Sequence, residues 1–383
     1  MTGARVVAPQ GLPGSSSYPL FSAYPLLRDV ISRVPLGLWP TPIDELPRLA
    51  SAIGAGRLFV KRDDVSALPY GGNKVRKLEV TLGDALSRGA QDIITFGAAG
   101  SNHALATAIY GTALGLNVTS MLTPQPNARY VRRNLLAHLG AGASVRMHSD
   151  RDAALEDAAA LSQEAFERTG MPAYVIPFGG TTPVSTAGFV NAGFELAGQI
   201  SAGLVPAPDV IYVPLGSMGT AAGIALGLAI GGIAPLVRAV TVVPSQIATD
   251  ARYRQLLDDT VAVLRAGDAA IPPDLASAVN VEVVDGFLGD EYALFTSAGM
   301  EAVSLAAAEE GLQLEGTYTG KAMSALIADA RAGDLAGKTA IFWDTYNSHD
   351  VAVLTSGVDY HDLPEAARMY FETDVQPLDA EGI

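Results

Sequence analysis

The feature that most constrains this chain is a rhythm. From Asp92 onward, short apolar runs alternate with helical segments at near-constant spacing. Asp92-Ile93-Ile94-Thr95-Phe96 reads as a strand, His103 to Leu114 as a helix closed by Gly115, and Asn117 to Leu122 as the next strand. Arg129 to Leu139 is again helical, Ser144 to Met147 a strand, Ala153 to Thr169 a helix and Ala173 to Pro177 a strand. A second set repeats the pattern: helix 187–202, strand 210–214, helix 220–230 and strand 237–243. Beyond a less regular stretch come helices 297–310 and 321–332 and a last strand from Lys338 to Trp343. Strands joined through helices must run parallel and be covered on both faces. The expected fold class is therefore α/β, in two domains, each an open, mostly parallel sheet flanked by helices. With 383 residues, 49% of them hydrophobic, the chain can fill two such cores. Residues 1–24, rich in Gly, Pro and Ser, read as a loosely attached arm, and the tail after Asp344 carries few signals.

One segment admits another reading. No charge occurs from Val210 to Val237, and Gly219, Gly223, Gly227 and Gly231 recur every fourth residue, as in packed membrane helices. Pro214, Gly216 and Ser217 break the run after a β-like start, so strand, turn and buried helix is the expectation, with no membrane span. A net charge of −15 argues against a nucleic-acid partner, which needs a basic face. Cysteine is absent, which excludes thiolate metal sites and a Cys nucleophile. The five histidines form no metal-binding pair, so no metal is expected. The start of the chain shows no signal-peptide pattern, and a cytoplasmic location is the expectation.

Three glycine-rich turns bear chemistry. In Gly71-Gly72-Asn73-Lys74-Val75-Arg76-Lys77 two glycines precede a helix, and Lys74 stands among cations that can depress its pKa. Such a stretch is also compatible with a solvated turn. In Gly97-Ala98-Ala99-Gly100-Ser101-Asn102-His103, Ser101 and Asn102 can cap the following helix, and the ends of parallel strands are also where ligands bind. Gly216-Ser217-Met218-Gly219-Thr220 follows a strand and opens a helix, the arrangement of a phosphate cradle. It is neither a dinucleotide fingerprint nor a Walker loop, and Gly316 to Lys321 misses the Walker pattern too.

In this order, these blocks, with Lys61-Arg62-Asp63-Asp64 and Tyr318-Thr319-Gly320-Lys321-Ala322-Met323, resemble the tryptophan-synthase-β-like (fold type II) enzymes that use pyridoxal phosphate (PLP). More narrowly, residues 36–346 resemble the D-cysteine desulfhydrase and 1-aminocyclopropane-1-carboxylate (ACC) deaminase family. The resemblance implies a large PLP-binding domain from residues 1–70 and 188–383, a small domain from 71–187, and a homodimer. It implies that Lys74 holds the cofactor covalently and shuttles protons, and that Asn73 and Asn102 contact the cofactor. Gly216, Ser217, Met218, Gly219 and Thr220 would hold its phosphate. Ser101, Asn102 and His103 would receive a small amino-acid substrate, with Ser101, Tyr318 and Tyr292 as catalytic groups. Thr319 stands where the deaminases carry Glu, and as a neutral partner of the pyridine nitrogen it favours β-elimination. Thr345 is a second candidate for that partner. The chain departs from the family at Asp344-Thr345-Tyr346-Asn347, where the family shows His-Thr-Gly-Gly. The expected reaction is β-elimination from a small amino acid, D-cysteine first, giving a 2-oxo acid, ammonia and sulfide. The alternatives are ACC deamination, β-replacement and a non-catalytic binding protein.

Overall fold

A computed structural model of the chain describes residues 18–380. Its strands are β1 (Ile43–Glu45), β2 (Arg57–Arg62), β3 (Asp92–Ala98), β4 (Asn117–Thr123), β5 (Ser144–Met147), β6 (Tyr174–Ile176), β7 (Val210–Leu215), β8 (Leu236–Thr241), β9 (Val281–Val284) and β10 (Thr339–Asp344). They form two sheets, ordered β1-β2-β10-β7-β8-β9 and β5-β4-β3-β6. Every pairing is parallel except β1 with β2, where the edge strand β1 runs antiparallel and is joined to β2 through the Pro47–Ile53 helix.

The larger sheet has two faces because side chains alternate along a strand. Phe59, Ile211, Val213, Ile341 and Trp343 enter one core, and their neighbours Leu58, Val60, Tyr212, Ala340 and Phe342 enter the other. Strand β7 is buried at every position, which is why it reads as a continuous apolar run. The uncharged segment after it is a buried helix, Gly219–Ile230. Its glycines let the backbone of the Pro183–Ser201 helix approach closely: a Cβ on Gly227 would lie 2.1 Å from Val190 O, and one on Gly223 would lie 2.3 Å from Phe189 Cβ. Among the described residues no helix is long and apolar enough to cross a membrane.

An ionic cluster beneath the sheets joins the parts. Arg76 donates to both Asp63 oxygens (2.8 and 2.7 Å) and to Glu195 (3.1 Å). Lys61 Nζ donates to Glu195 (2.6 Å) and Gln199 (2.7 Å), and Trp343 Nε1 to Asp63 (2.8 Å). Burial alone would raise the Glu195 carboxyl, but the Arg76 and Lys61 charges outweigh it and hold it at about 2. Arg76 is thus committed to this cluster.

Three expectations need correction. The N-terminal arm is not loose throughout: Tyr18, Leu20 and Phe21 are buried in the core, and Leu20 N donates to Asn191. The earlier part of the expected arm lies outside the described residues. The stretch read as irregular contains the Asp250–Gly267 helix, which buries Tyr253, Leu256, Leu257, Val261 and Leu264, and also β9. The tail after β10 contains the Glu365–Glu372 helix, with Ala367 and Tyr370 buried. The Pro183–Ser201 helix runs unbroken through residues 187 and 188.

Candidate active site

A cavity of about 320 Å³ is bounded by the ends of parallel strands from both sheets and by the turns that follow them. Loops at the carboxyl ends of parallel strands converge in this way. Asn73, Lys74, Ser101, Asn102, His103, Gly216, Ser217, Met218, Thr220, Tyr292, Tyr318 and Thr345 all line it.

Lys74 begins the Lys74–Ser87 helix. Gly72 turns the chain into that helix at φ +91°, where a Cβ would meet the carbonyl oxygens of Thr345 and Tyr346 at 2.9 and 2.8 Å. Asn73 Nδ2 donates to Thr220 Oγ1 (3.1 Å), tying this helix start to that of Gly219–Ile230. Among the described residues the Lys74 amine has no hydrogen-bond or ionic partner, and burial lowers its pKa to about 8. The sequence attributed this shift to neighbouring cations. The structure assigns it to burial instead, since Arg76 points into the ionic cluster.

Two turns meet where the sequence places the phosphate cradle. Met218, at φ +67°, bends the chain so that Gly216, Ser217 and Thr220 face the cavity ahead of the helix, whose first N–H groups have no partner within it. The second turn, Phe178-Gly179-Gly180-Thr181, was not singled out from sequence. Thr181 Oγ1 donates to Ser217 Oγ (2.8 Å), and a Cβ on Gly179 would strike Ser217 Oγ at 2.5 Å. Lys77 joins them, with Nζ donating to Thr181 Oγ1 (2.7 Å) and Gly179 O (3.3 Å) and lying 3.4 Å from Ser217 Oγ. Burial first, then the Lys74 charge, pushes its pKa well below the ordinary lysine value. A buried lysine among hydroxyls and N–H groups lacks an anion, and a phosphate supplies one. Its position one helical turn after Lys74 was the signal available in the sequence.

Opposite the cradle, Ser101 caps the Asn102–Ala113 helix, its Oγ accepting Ala104 N (3.2 Å). The cap and the site coincide. A Cβ on Gly97 would lie 2.3 Å from Ser101 Cβ, so Gly97 makes room for the serine. Asn102 Oδ1 accepts from Tyr70 Oη and from Asn134 Nδ2, both at 3.1 Å, which leaves its amide N–H groups for the cavity. His103 Nε2 lies 3.2 Å from Thr95 Oγ1, and burial followed by the Lys74 and Lys77 charges drives its pKa well below the usual value, so it is neutral. Tyr292 and Tyr318 meet through their hydroxyls, and burial, as the largest cause, raises both.

Two expected site residues stand off the wall. Gly219 lies one layer behind it, against Thr181 and Thr186. Thr319 is fully buried, its Oγ1 accepting Glu315 N (2.9 Å). Thr345 and Glu315 line the cavity in its place. The Glu315 carboxyl, raised by burial, accepts backbone N–H bonds from Thr317 (2.7 Å), Tyr318 (2.7 Å) and Thr319 (2.9 Å). The departure at 344–347 is a repacked loop: Asn347 Oδ1 accepts Gly71 N (2.6 Å), and Tyr346 Oη, on the wall, accepts from Arg133 (2.7 Å). Among the described residues no cluster fit for a metal ion occurs.

Residues 34–344 match the family described as pyridoxal-phosphate dependent enzymes. A D-cysteine desulfhydrase of Salmonella choleraesuis is 36% identical over 297 residues, covering 75% of this chain and 85% of that protein. A nocardicin C-9' epimerase of Nocardia uniformis is 35% identical over 327 residues, covering 84% and 94%. A crystal structure of an ACC deaminase homologue superposes with a TM-score of 0.71 at 32% identity, covering 86% of this chain and 95% of that one.

Proposed function

From the premise that this chain belongs to the pyridoxal-phosphate dependent enzymes, we propose that it is a lyase acting by β-elimination on a small amino acid, with D-cysteine as the first candidate. The observation that carries the reading is Lys74: its amine, without a partner among the described residues, shares one cavity with a phosphate cradle and a tyrosine pair. Bound PLP supplies an electron-withdrawing ring that stabilises negative charge at the substrate Cα.

The chain's own groups do the rest. Lys74 Nζ would hold the cofactor and, as a free amine, would accept the proton from the substrate Cα; a pKa of about 8 leaves a useful fraction of free amine near neutral pH. Gly216, Ser217, Met218 and Thr220, with Asn73 and Lys77, would hold the phosphate, and Gly219 behind them leaves the room. The Ser101 hydroxyl, the Asn102 amide and the first N–H groups of the Asn102–Ala113 helix receive the substrate carboxylate. Tyr292 and Tyr318 share one hydroxyl–hydroxyl bond, so one phenol proton remains to be given to the departing group. Thr345 is the neutral hydroxyl at the wall for the pyridine nitrogen. We further propose the division of the chain into residues 1–70 with 188–383 and residues 71–187, the second boundary drawn back to the start of the Pro183–Ser201 helix, and assembly as a homodimer in the cytoplasm.

ACC deamination is the second reading, favoured by Glu315, a carboxylate on the same wall. Both its oxygens are already engaged by backbone N–H groups, which weakens it as a partner for a protonated ring nitrogen. The test is a parallel assay of D-cysteine, L-cysteine, β-chloroalanine and ACC, scored for 2-oxo acid, ammonia and sulfide. The β-substituted alanines should turn over, Lys74→Ala should abolish turnover, and borohydride should fix the cofactor on Lys74. Efficient ACC turnover with inert β-substituted alanines would move the chain to the deaminases.

A further inference from the structure

The tail after β10 lies beyond the residues that match the family, yet it reaches the active site. Tyr370 Oη accepts from Gln125 N (3.0 Å), and Asn127 Nδ2 donates to Tyr370 O (2.8 Å) and Thr373 O (3.0 Å). Gln125 directly follows Pro124, which lines the cavity, and Asn127 lies two residues beyond Gln125. The tail then turns inward at Gln376, whose N–H donates to Asn127 O (2.9 Å) and whose side chain is buried.

That side chain grips the loop carrying Tyr292. Gln376 Oε1 accepts Phe295 N (2.6 Å), and Gln376 Nε2 donates to Ala293 O (3.1 Å). One carboxamide thereby satisfies a donor and an acceptor two residues apart, as a neighbouring strand would. Between them the loop is bent at Ala293, which has φ +64°, a left-handed conformation that a residue with a Cβ adopts only when held there. Ala293 follows Tyr292 directly, so this bend sets where the Tyr292 ring points.

We propose that Gln376 is a positioning residue for Tyr292: its carboxamide clamps Ala293 and Phe295, and so keeps the Tyr292 hydroxyl on Tyr318 and at the cavity. The inference rests on Tyr292 and Tyr318 acting as the proton-donating pair. It gives the C-terminal segment from Tyr370 to Gln376 a part in the reaction although none of its residues lines the cavity.

The test compares holoenzymes of the wild type, Q376A, Y292F, Q376A/Y292F and Q376A/A293G. The Phe295 amide should exchange hydrogen faster in Q376A, while PLP affinity, followed by its visible absorbance, stays within about twofold because the cradle lies elsewhere. Turnover kcat should fall about tenfold in Q376A, the order expected when a catalytic group is displaced rather than removed. Glycine at 293 accepts the bend without the clamp, so Q376A/A293G should recover most of the loss. In the Y292F background Q376A should cost nothing more, since it acts through that tyrosine. A slow Y292F beside a Q376A of wild-type kcat, or losses that multiply in the double variant, would overturn this inference alone. A Y292F as fast as the wild type would overturn the role of Tyr292, and this inference with it. Should Q376A not fold, Q376M carries the test: it fills the same space but offers neither an oxygen to Phe295 N nor an N–H to Ala293 O, and an unchanged kcat there counts against the clamp.

Discussion

Asp344 stands where the resembling family carries His, and it is fully buried at the end of β10. Its Oδ1 accepts Tyr346 N (3.1 Å), while Oδ2 has no partner among the described residues. Burial, and then the nearby Asp64 charge, lifts its pKa well above the usual carboxylate range. A carboxyl that keeps its proton resembles an amide in shape and charge. We therefore expect Asp344→Asn to change stability by less than about 1 kcal/mol in mildly acidic solution, since no charge is lost there. The sign of the pH effect follows from linkage. The folded state retains a proton that the unfolded chain releases above its ordinary pKa, so wild-type stability falls as pH rises through the folded value. Asp344→Asn should remove that decline. Urea unfolding across a pH series checks it, and parallel curves for the two proteins would show Asp344 to be ionised throughout. The same reasoning separates Lys74 from Lys77: both are depressed by burial, but Lys77 already has oxygen partners and Lys74 is left for chemistry.

At the scale of the element, the turn from β7 into the Gly219–Ile230 helix does the most with the fewest atoms. Met218 takes a positive φ, and Gly219 then passes so close to Thr181 that a Cβ would lie 2.9 Å from its side chain. Thr181 in turn holds Lys77 and Ser217. A leucine at 219 must push Thr181 aside and open the cradle. We expect Gly219→Leu to weaken PLP binding at least about tenfold, or roughly 1.4 kcal/mol, with the chemistry of the bound fraction little changed. Titration of apoprotein with PLP, read by visible absorbance, gives the affinity; single-turnover rates at saturating cofactor give the chemistry. An unaltered affinity would place the phosphate elsewhere.

At the scale of the molecule, the cavity draws its walls from both sheets: Ser101 and Asn102 follow β3, Gly216 and Thr345 follow β7 and β10, and Lys74 and Tyr318 stand at the starts of the Lys74–Ser87 and Thr319–Ala332 helices. The Lys74–Ser87 helix is already tied to the end of β2 and to the Pro183–Ser201 helix through Arg76, Asp63 and Glu195, a buried cluster in which loss of one partner leaves an uncompensated charge. A ligand touching both sides adds to this join. Because PLP binds the folded state alone, saturation at about a hundred times its Kd should stabilise the protein by about 2.7 kcal/mol. Calorimetry of apo and reconstituted protein should therefore show a Tm rise of several degrees in one shared transition. A shift confined to one of two separate transitions would mean that the cofactor is held by one part only.

The sequence by itself determined the two parallel sheets, because apolar runs of strand length alternate with helical spacing and only covered parallel strands satisfy that order. It also determined the three turns, since glycine before a helix admits tight bends that other residues resist and lets backbone N–H groups be approached closely. The helix from Asp250 was equally legible, in the spacing of Tyr253, Leu256, Leu257 and Val261, and was passed over. Only the tertiary structure decided which side chains face the cavity. It turned Arg76 into an ion cluster, placed Thr319 against Glu315, brought Lys77 to Thr181 across 104 positions and carried Gln376 back to Ala293 across 83. These are partnerships between segments remote in sequence, and their direction depends on how the two sheets pack rather than on any local spacing.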